Sequence, residues 1–396
     1  MRRDRLTVAF PTKVQFGTLL GNMSSPFPYD SPVVPSDLID RDTEAATLVE
    51  RALAGRNTRL VAPRRYGKTS LARRVLVEVE DDRVGVYVNF FGVLTVDDIA
   101  ERFERAYREQ LRGRLARWFG AAVRTMRPVV RAGGGALPAS VELTPGDRAG
   151  SLLDRLSVPR LLHERHETRF VIVLDEFQDV LRAGQRVDAT IRSEIEHHGD
   201  AVAYVFAGSH PGLMTELFSD RRRAFYAQAT PVELDILDPM DVAEFVGGRF
   251  EAGGRDPGDA LGPLLDLAAG HPQRLMLLAD HLWRHTPPGA VADAETWGAV
   301  LHSIGSEVSD ELEAVWRGLP ATQQGVLTAV ADDTGALFCA SVLLDHGLRR
   351  GGGTSTALRA LVDTGTVVRD DRRATRHRVV DPLLALWLRA GRRWPI

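Results

Sequence analysis

Residues 57–76 read Asn-Thr-Arg-Leu-Val-Ala-Pro-Arg-Arg-Tyr-Gly-Lys-Thr-Ser-Leu-Ala-Arg-Arg-Val-Leu, and no other stretch constrains the fold as strongly. An apolar strand over 58–62 runs into a loop, and Gly67-Lys68-Thr69 opens a helix with apolar residues at Leu71, Val75 and Leu76. Strand, loop, then helix is the setting of a phosphate-binding loop. Backbone N–H groups of the loop and the helix N-terminus can cradle phosphates. Lys68 is then placed to neutralise β/γ-phosphate charge, and the Thr69 hydroxyl to ligate Mg²⁺. The segment departs from G-x-x-x-x-G-K-S/T at Ala62, the smallest replacement for the first glycine. The chain has 50 basic residues, yet only Lys13 and Lys68 are lysines. A compact ammonium fits between phosphates where a wide guanidinium fork does not, so the retention of Lys68 points the same way.

A second segment completes the pattern. Phe170 to Leu174 form an apolar run suited to a strand buried on both faces of a parallel sheet, and it ends in Asp175 and Glu176. At such a strand end the first carboxylate can hold Mg²⁺ and the second can polarise an attacking water. A third strand, 201–207, ends in Gly208-Ser209-His210-Pro211. Ser209 is the candidate sensor of the γ-phosphate, with His210 as the alternate.

With 396 residues the chain is long enough for two to three domains. Strands are expected at 58–62, 84–92, 169–175, 201–207 and 231–236, separated by helices, which reads as a three-layer α/β core with a mainly parallel sheet. Residues 1–35, with Pro26, Pro28, Pro32 and Pro35, form an N-terminal arm, and the core spans 36–238. Its first helix, about 43–54, has Asp42 or Thr43 as expected cap. Between the second and third strands lie helices at about 95–113 and 114–127, a glycine run at 132–135, a short strand at 139–143 and a helix at 146–164. Residues 239–304 read as a helical lid, with helices at 240–250, 261–269, 273–283 and 293–303. Residues 305–396 read as a winged helix-turn-helix: helices at 321–332, 340–346 and 353–362, a two-stranded wing at 366–369 and 376–380, and a helix at 381–390.

Charge divides along the same line. Residues 345–396 hold 11 arginines and 5 acidic residues, leaving 39 basic and 48 acidic residues elsewhere. A basic end on an acidic body fits nucleic acid, with Arg359 on the recognition helix and Arg369, Arg372, Arg373, Arg376 and Arg378 on the wing as candidate contacts. Asp370, Asp371 and Asp381 are interleaved with them, and winged helices also dock proteins. Cys339 is the only cysteine, which excludes an internal disulfide, and no Cys/His cluster has zinc-site spacing. No apolar run reaches membrane-spanning length, no signal peptide is expected before Pro11 and Lys13, and the protein is expected in the cytoplasm. His163-Glu164-Arg165-His166 lacks metalloprotease spacing, His197-His198 reads as surface, and no nucleophile elbow occurs.

Taken together the chain resembles the archaeal-type ATPase family, a P-loop group at the border of AAA+ and STAND ATPases and close to origin-recognition-type initiators. The resemblance lies in Leu38-Ile39-Asp40-Arg41-Asp42-Thr43-Glu44, Ala62-Pro63-Arg64-Arg65-Tyr66-Gly67-Lys68-Thr69-Ser70-Leu71, Leu174-Asp175-Glu176-Phe177-Gln178, Gly270-His271-Pro272-Gln273-Arg274 and Val380-Asp381-Pro382-Leu383 near Trp387. It implies binding of ATP with Mg²⁺ and its hydrolysis. Residues 62–70 would contact the nucleotide, Asp40 and Arg41 would lead into the adenine pocket, and Pro272 would lie near the nucleotide. Arg274 is a candidate lid sensor. Relatives commonly carry a Tyr-Gly-Arg-like string where this chain has Phe225-Tyr226-Ala227-Gln228. The nearest arginines are Arg221, Arg222 and Arg223, so the resemblance does not carry over a trans-acting arginine finger. Two roles stand side by side: a DNA-associated ATPase, and a STAND-type switch that oligomerises with nucleotide and docks protein partners.

Overall fold

The computed structural model describes residues 25–126 and 152–395. The glycine run at 132–135, the strand at 139–143, the start of the helix at 146–164 and most of the arm lie outside them.

Five strands, β1 (Thr58–Val61), β2 (Val84–Asn89), β3 (Phe170–Asp175), β4 (Val202–Gly208) and β5 (Thr230–Glu233), form one all-parallel sheet in the order β2-β3-β4-β1-β5. β3 and β4 are buried along their whole length, which is why their sequences are unbroken apolar runs. Val171, Val173, Ala203 and Val205 face one layer, built from α1 (Asp42–Leu53) and α2 (Lys68–Glu78). Ile172, Leu174, Tyr204 and Phe206 face the other, built from α3 (Val96–Gln110), α4 (Gly113–Met126), α5 (Val158–His166), α6 (Val187–Ile195) and α7 (Pro211–Ser219). The expected three-layer core is therefore present.

Several local expectations are corrected. Arg41, not Asp42 or Thr43, stands at the N-cap of α1, with no side-chain cap bond. Asp42 and Glu44 occupy the first turn instead, where their charge suits the helix dipole. β2 stops at Asn89 rather than 92, because the Asn89 side chain turns the backbone by accepting from Phe91 N. β5 spans 230–233 rather than 231–236. Its neighbour β1 ends at Val61, opposite Glu233, so the residues beyond have no ladder to join.

Helices α8 (Pro239–Ala252), α9 (Leu261–Ala268), α10 (Pro272–His285) and α11 (Ala294–Arg317) follow the sheet. The arm is tied to this helical part. Phe27 is buried against Phe245, Phe250 and Trp283, with ring centroids 5.7–6.2 Å away. α12 (Ala321–Asp332), α13 (Ala340–Asp345), α14 (Gly352–Asp363), the antiparallel hairpin β6 (Val367–Arg369) and β7 (His377–Val379), and α15 (Pro382–Arg389) complete the chain in the order of a winged helix. The division expected at 304/305 falls inside α11, which continues through Gly298 and Gly305 and ends only before Gly318 and Pro320. Leu275 and Leu278 of α10, Ile304 and Leu312 of α11, and Leu327 and Trp387 beyond it share one apolar core. Lid and C-terminal helices are thus a single packed body.

Candidate functional site

The C-terminal ends of β1, β3 and β4 meet at one place, and most of the expected residues converge there. Gly67 caps α2 at φ +84°, a left-handed backbone that glycine adopts without Cβ strain. Ala62 has no such backbone and is buried, so alanine serves where the usual loop has glycine. Lys68 is buried, and its Nζ donates to the carbonyls of Ala62 (2.9 Å) and Pro63 (2.7 Å). Burial, with a smaller contribution from Arg64, outweighs the upward pull of Glu176 and Asp175 and leaves its pKa lowered to about 8. An anion beside Lys68 would restore its full charge.

Thr69 Oγ1 donates to Asp175 Oδ2 at 2.8 Å, and Tyr87 OH donates to the same oxygen at 2.6 Å. Asp175 Oδ1 accepts from Glu176 N at 3.0 Å. Burial, then the Asp175 charge and hydrogen bond, hold the Tyr87 phenol protonated by raising its pKa. Glu176 sits at φ 52°, and its Oε2 accepts from Ser209 Oγ (2.6 Å) and from Gln178 Nε2. Of the two sensor candidates, Ser209 therefore reaches the carboxylate. His210 instead caps α7, its Nδ1 accepting from Leu213 N.

A cavity of about 720 Å³ opens in front of this cluster. Arg64 through Ser70 line one wall with Glu176, and Pro272, Arg274 and Met276 of α10 line another. Leu38, Ile39, Arg41 and Leu237 close the apolar end. Arg41 is buried and donates to Asp235 O at 2.6 Å, while Asp40 accepts from Asp238 N at 2.8 Å. Asp40 holds the wall rather than lining it. Ala62 and Pro63 meet the cavity only through Lys68, and Ser70 lines it from the first turn of α2.

Some contributors have no signal in the sequence. Pro28 through Val33 of the arm line the cavity, and Tyr29 OH donates to Glu307 of α11 at 3.1 Å. Tyr87 and Gln178 reach Asp175 and Glu176 across the sheet edge and through a turn, contacts that only the folded chain creates. Alternation within β2 is the one available clue to Tyr87.

The loop is also bonded to the C-terminal body. Arg65 pairs with Glu311 at 2.6 Å. The buried Tyr66 packs edge-on to His271, with centroids 5.0 Å apart, and its OH accepts from Arg378 of β7 at 3.2 Å. Arg274, the candidate lid sensor, is 2% exposed; its Nε lies 3.1 Å from both Asp381 oxygens, with Glu311 at 3.5 Å. Asp381 in turn caps α15 by accepting from Leu383 N and Leu384 N. On the wing Arg369 pairs with Asp371, Arg372 with Asp370 and Arg373 with Asp333, so Arg359 and Arg376 are the candidate contacts left exposed without a carboxylate partner among the described residues.

No protein-family model matches this sequence, and no curated protein matches it. Among solved structures, a Walker-type ATPase of Pyrococcus abyssi is similar over 92% of this chain and 99% of its own, with a TM-score of 0.64 at 19% identity. The ORC2 protein of Aeropyrum pernix, in ADPNP–ADP complexes, is similar over 92% of this chain and 96% of its own, with a TM-score of 0.56 at 15% identity. At these identities the likeness is one of fold: the chain is built as a P-loop ATPase core with helices and a winged-helix body behind it.

Proposed function

We propose that this protein is a Mg²⁺-dependent ATPase whose nucleotide site is tied to its C-terminal body, and that it acts in the cytoplasm as a nucleotide-driven switch. The observation that carries the reading is the convergence of Lys68, Thr69, Asp175, Glu176 and Ser209 at the ends of three adjacent parallel strands, with Lys68, Thr69 and Glu176 lining one cavity. The loop amides and Lys68 bind the ATP phosphates, and the apolar end of the cavity takes the base. Thr69 and Asp175 offer two oxygen donors already 2.8 Å apart, a donor set that fits a hard cation, and these two residues would hold Mg²⁺. Bound there, Mg²⁺ supplies charge neutralisation at the β- and γ-phosphates. Glu176 orients the attacking water, and Ser209 fixes Glu176 beside the γ-phosphate. A solved ORC2 structure holding ADPNP and ADP, and a neighbour named a Walker-type ATPase, support nucleotide as the ligand. No helix among the described residues is long and apolar enough to cross a membrane.

Between the two wider roles, the wing favours the switch. Three of its arginines are neutralised by neighbouring aspartates, and Arg378 is turned inward to Tyr66, which leaves little free charge for DNA. The deciding experiment measures ATP binding, turnover and molecular size together, with and without duplex DNA. Glu176→Gln is expected to bind ATP as wild type does and to lose turnover by about 10²–10⁴-fold. A Lys68→Ala protein with wild-type ATP affinity overturns the site, and DNA binding that falls steeply with salt reinstates the DNA-associated role.

A further inference from the structure

The phosphate loop carries two adjacent arginines, and the fold sends them in different directions. Arg65 takes a left-handed backbone, φ 66°, and is held by Glu311. Arg41 and Arg274, the other guanidinium groups on the cavity, are held by Glu44 and Asp381. Arg64 alone among these has no carboxylate or hydrogen-bond partner among the described residues, and it is exposed. It lines the nucleotide cavity with Lys68, Thr69 and Glu176. It also lines a neighbouring cavity of about 640 Å³ between core and C-terminal body, with Gln178, Ser209 and His210. Arg64 therefore stands between the two, on the side where the sheet presents Glu176 and Ser209. In that second cavity the buried Gln178 Oε1 has no hydrogen-bond partner among the described residues, an open acceptor suited to a guanidinium N–H or a water. Arg222 is held by Asp220 and Arg223 by Glu216, and none of Arg221 to Arg223 lines either cavity.

From this placement we propose that Arg64 is the arginine that neutralises transition-state charge, supplied in cis by the phosphate loop itself. The proposal rests on the ATPase reading above. In the step it serves, a water oxygen bonds to the γ-phosphorus while the bond from that phosphorus to the β–γ bridging oxygen breaks. The bridging oxygen leaves on ADP with the electron pair, inorganic phosphate departs, and the water proton passes to solvent by way of Glu176. Arg64 meets the negative charge that grows on the bridging and γ-oxygens, as arginine fingers do, while an unpaired exposed position leaves it free to swing to them.

Three measurements test this on the full chain. Arg64→Ala is expected to bind a fluorescent ATP analogue within about threefold of wild type and to hydrolyse ATP in single turnover about 10³-fold more slowly. It is also expected to lose trapping of ADP with aluminium fluoride while its ADP affinity stays unchanged. Mixing Arg64→Ala with Lys68→Ala is expected to recover no turnover, because a finger in cis cannot be lent to a neighbour. Wild-type turnover or trapping in Arg64→Ala, or recovery in the mixture, overturns the assignment of Arg64 and leaves the ATPase reading standing. A wild-type protein that binds no ATP overturns both.

Discussion

Asp381 joins three parts of the molecule, and its removal has a cost that can be worked from the structure. Its carboxylate holds Arg274 of the lid, a guanidinium only 2% exposed, and caps α15 through two backbone amides. Asp381→Ala leaves that buried charge with Glu311, 3.5 Å away, as its one remaining carboxylate among the described residues. Breaking a buried pair costs about 3–5 kcal/mol. Asp381 keeps 25% of its side-chain surface and Glu311 remains, so the lower end, about 3 kcal/mol, applies. The lost cap adds about 1 kcal/mol, for a total near 4 kcal/mol. Asp381→Asn keeps the cap and loses the charge, for about 2–3 kcal/mol. Arg274→Met combined with Asp381→Asn removes both charges, and its cost is expected to fall well below the sum of the single changes. Guanidinium unfolding followed by tryptophan fluorescence reads this directly, since Trp387 lies in α15 against Trp316. Burial pushes the Asp381 pKa up, but Arg274 overrides it and the net shift is downward. The stabilisation is therefore complete above the unfolded aspartate value of about 3.9 and is lost as pH falls through the lower folded value, a limb absent in Asp381→Asn. An Asp381→Ala protein within about 1 kcal/mol of wild type would refute the reasoning.

Other outcomes follow from the same geometry. Gly67→Ala places a Cβ at φ +84°, with Leu38 Cδ1 no nearer than 4.0 Å, so the cost is conformational, about 1–2 kcal/mol, and ATP affinity is expected to fall with it; a thermal melt and a binding titration check both. Tyr66→Phe removes the acceptor for Arg378 and is expected to cost about 1 kcal/mol, an effect that disappears in an Arg378→Ala background. Burial lowers the pKa of His271, and of His198, which is buried rather than at the surface as its sequence suggested, to about 4, against about 6.5 when unfolded. Their contribution is complete above pH 6.5 and is lost as pH falls toward 4, so denaturant titrations from pH 7 to 5 should show the unfolded state taking up two more protons. His271→Asn, which retains a capping side chain, removes one of them, and an unchanged slope contradicts that assignment.

Much of the site is readable because each of its main parts is local in sequence. Gly67, Lys68 and Thr69 are consecutive, and so are Asp175 and Glu176. The apolar segments before them read as strands of a parallel sheet, which places both groups at the strands' C-terminal ends. What surrounds them is not local. Tyr87 reaches Asp175, Gln178 turns back to Glu176, and the arm residues 28–33 wall the cavity only because Phe27 is lodged in the aromatic cluster of the lid. Arg274 reads as a lid sensor and Arg378 as a wing contact in sequence, because the linear pattern carries no record of Asp381 or Tyr66 beside them.

The sequence by itself determined the strand–loop–helix unit at residues 58–78, the carboxylate-ended strand and the α/β layering, since burial on two faces and a left-handed glycine are requirements a local pattern can express. The tertiary structure decided the rest: the strand order, the choice of Ser209 over His210 beside Glu176, and the single core shared by lid and winged helix. It also decided that the wing arginines face aspartates and the phosphate loop. Those outcomes depend on which charges end up within a few ångströms of one another, and that distance is set by packing across the whole chain.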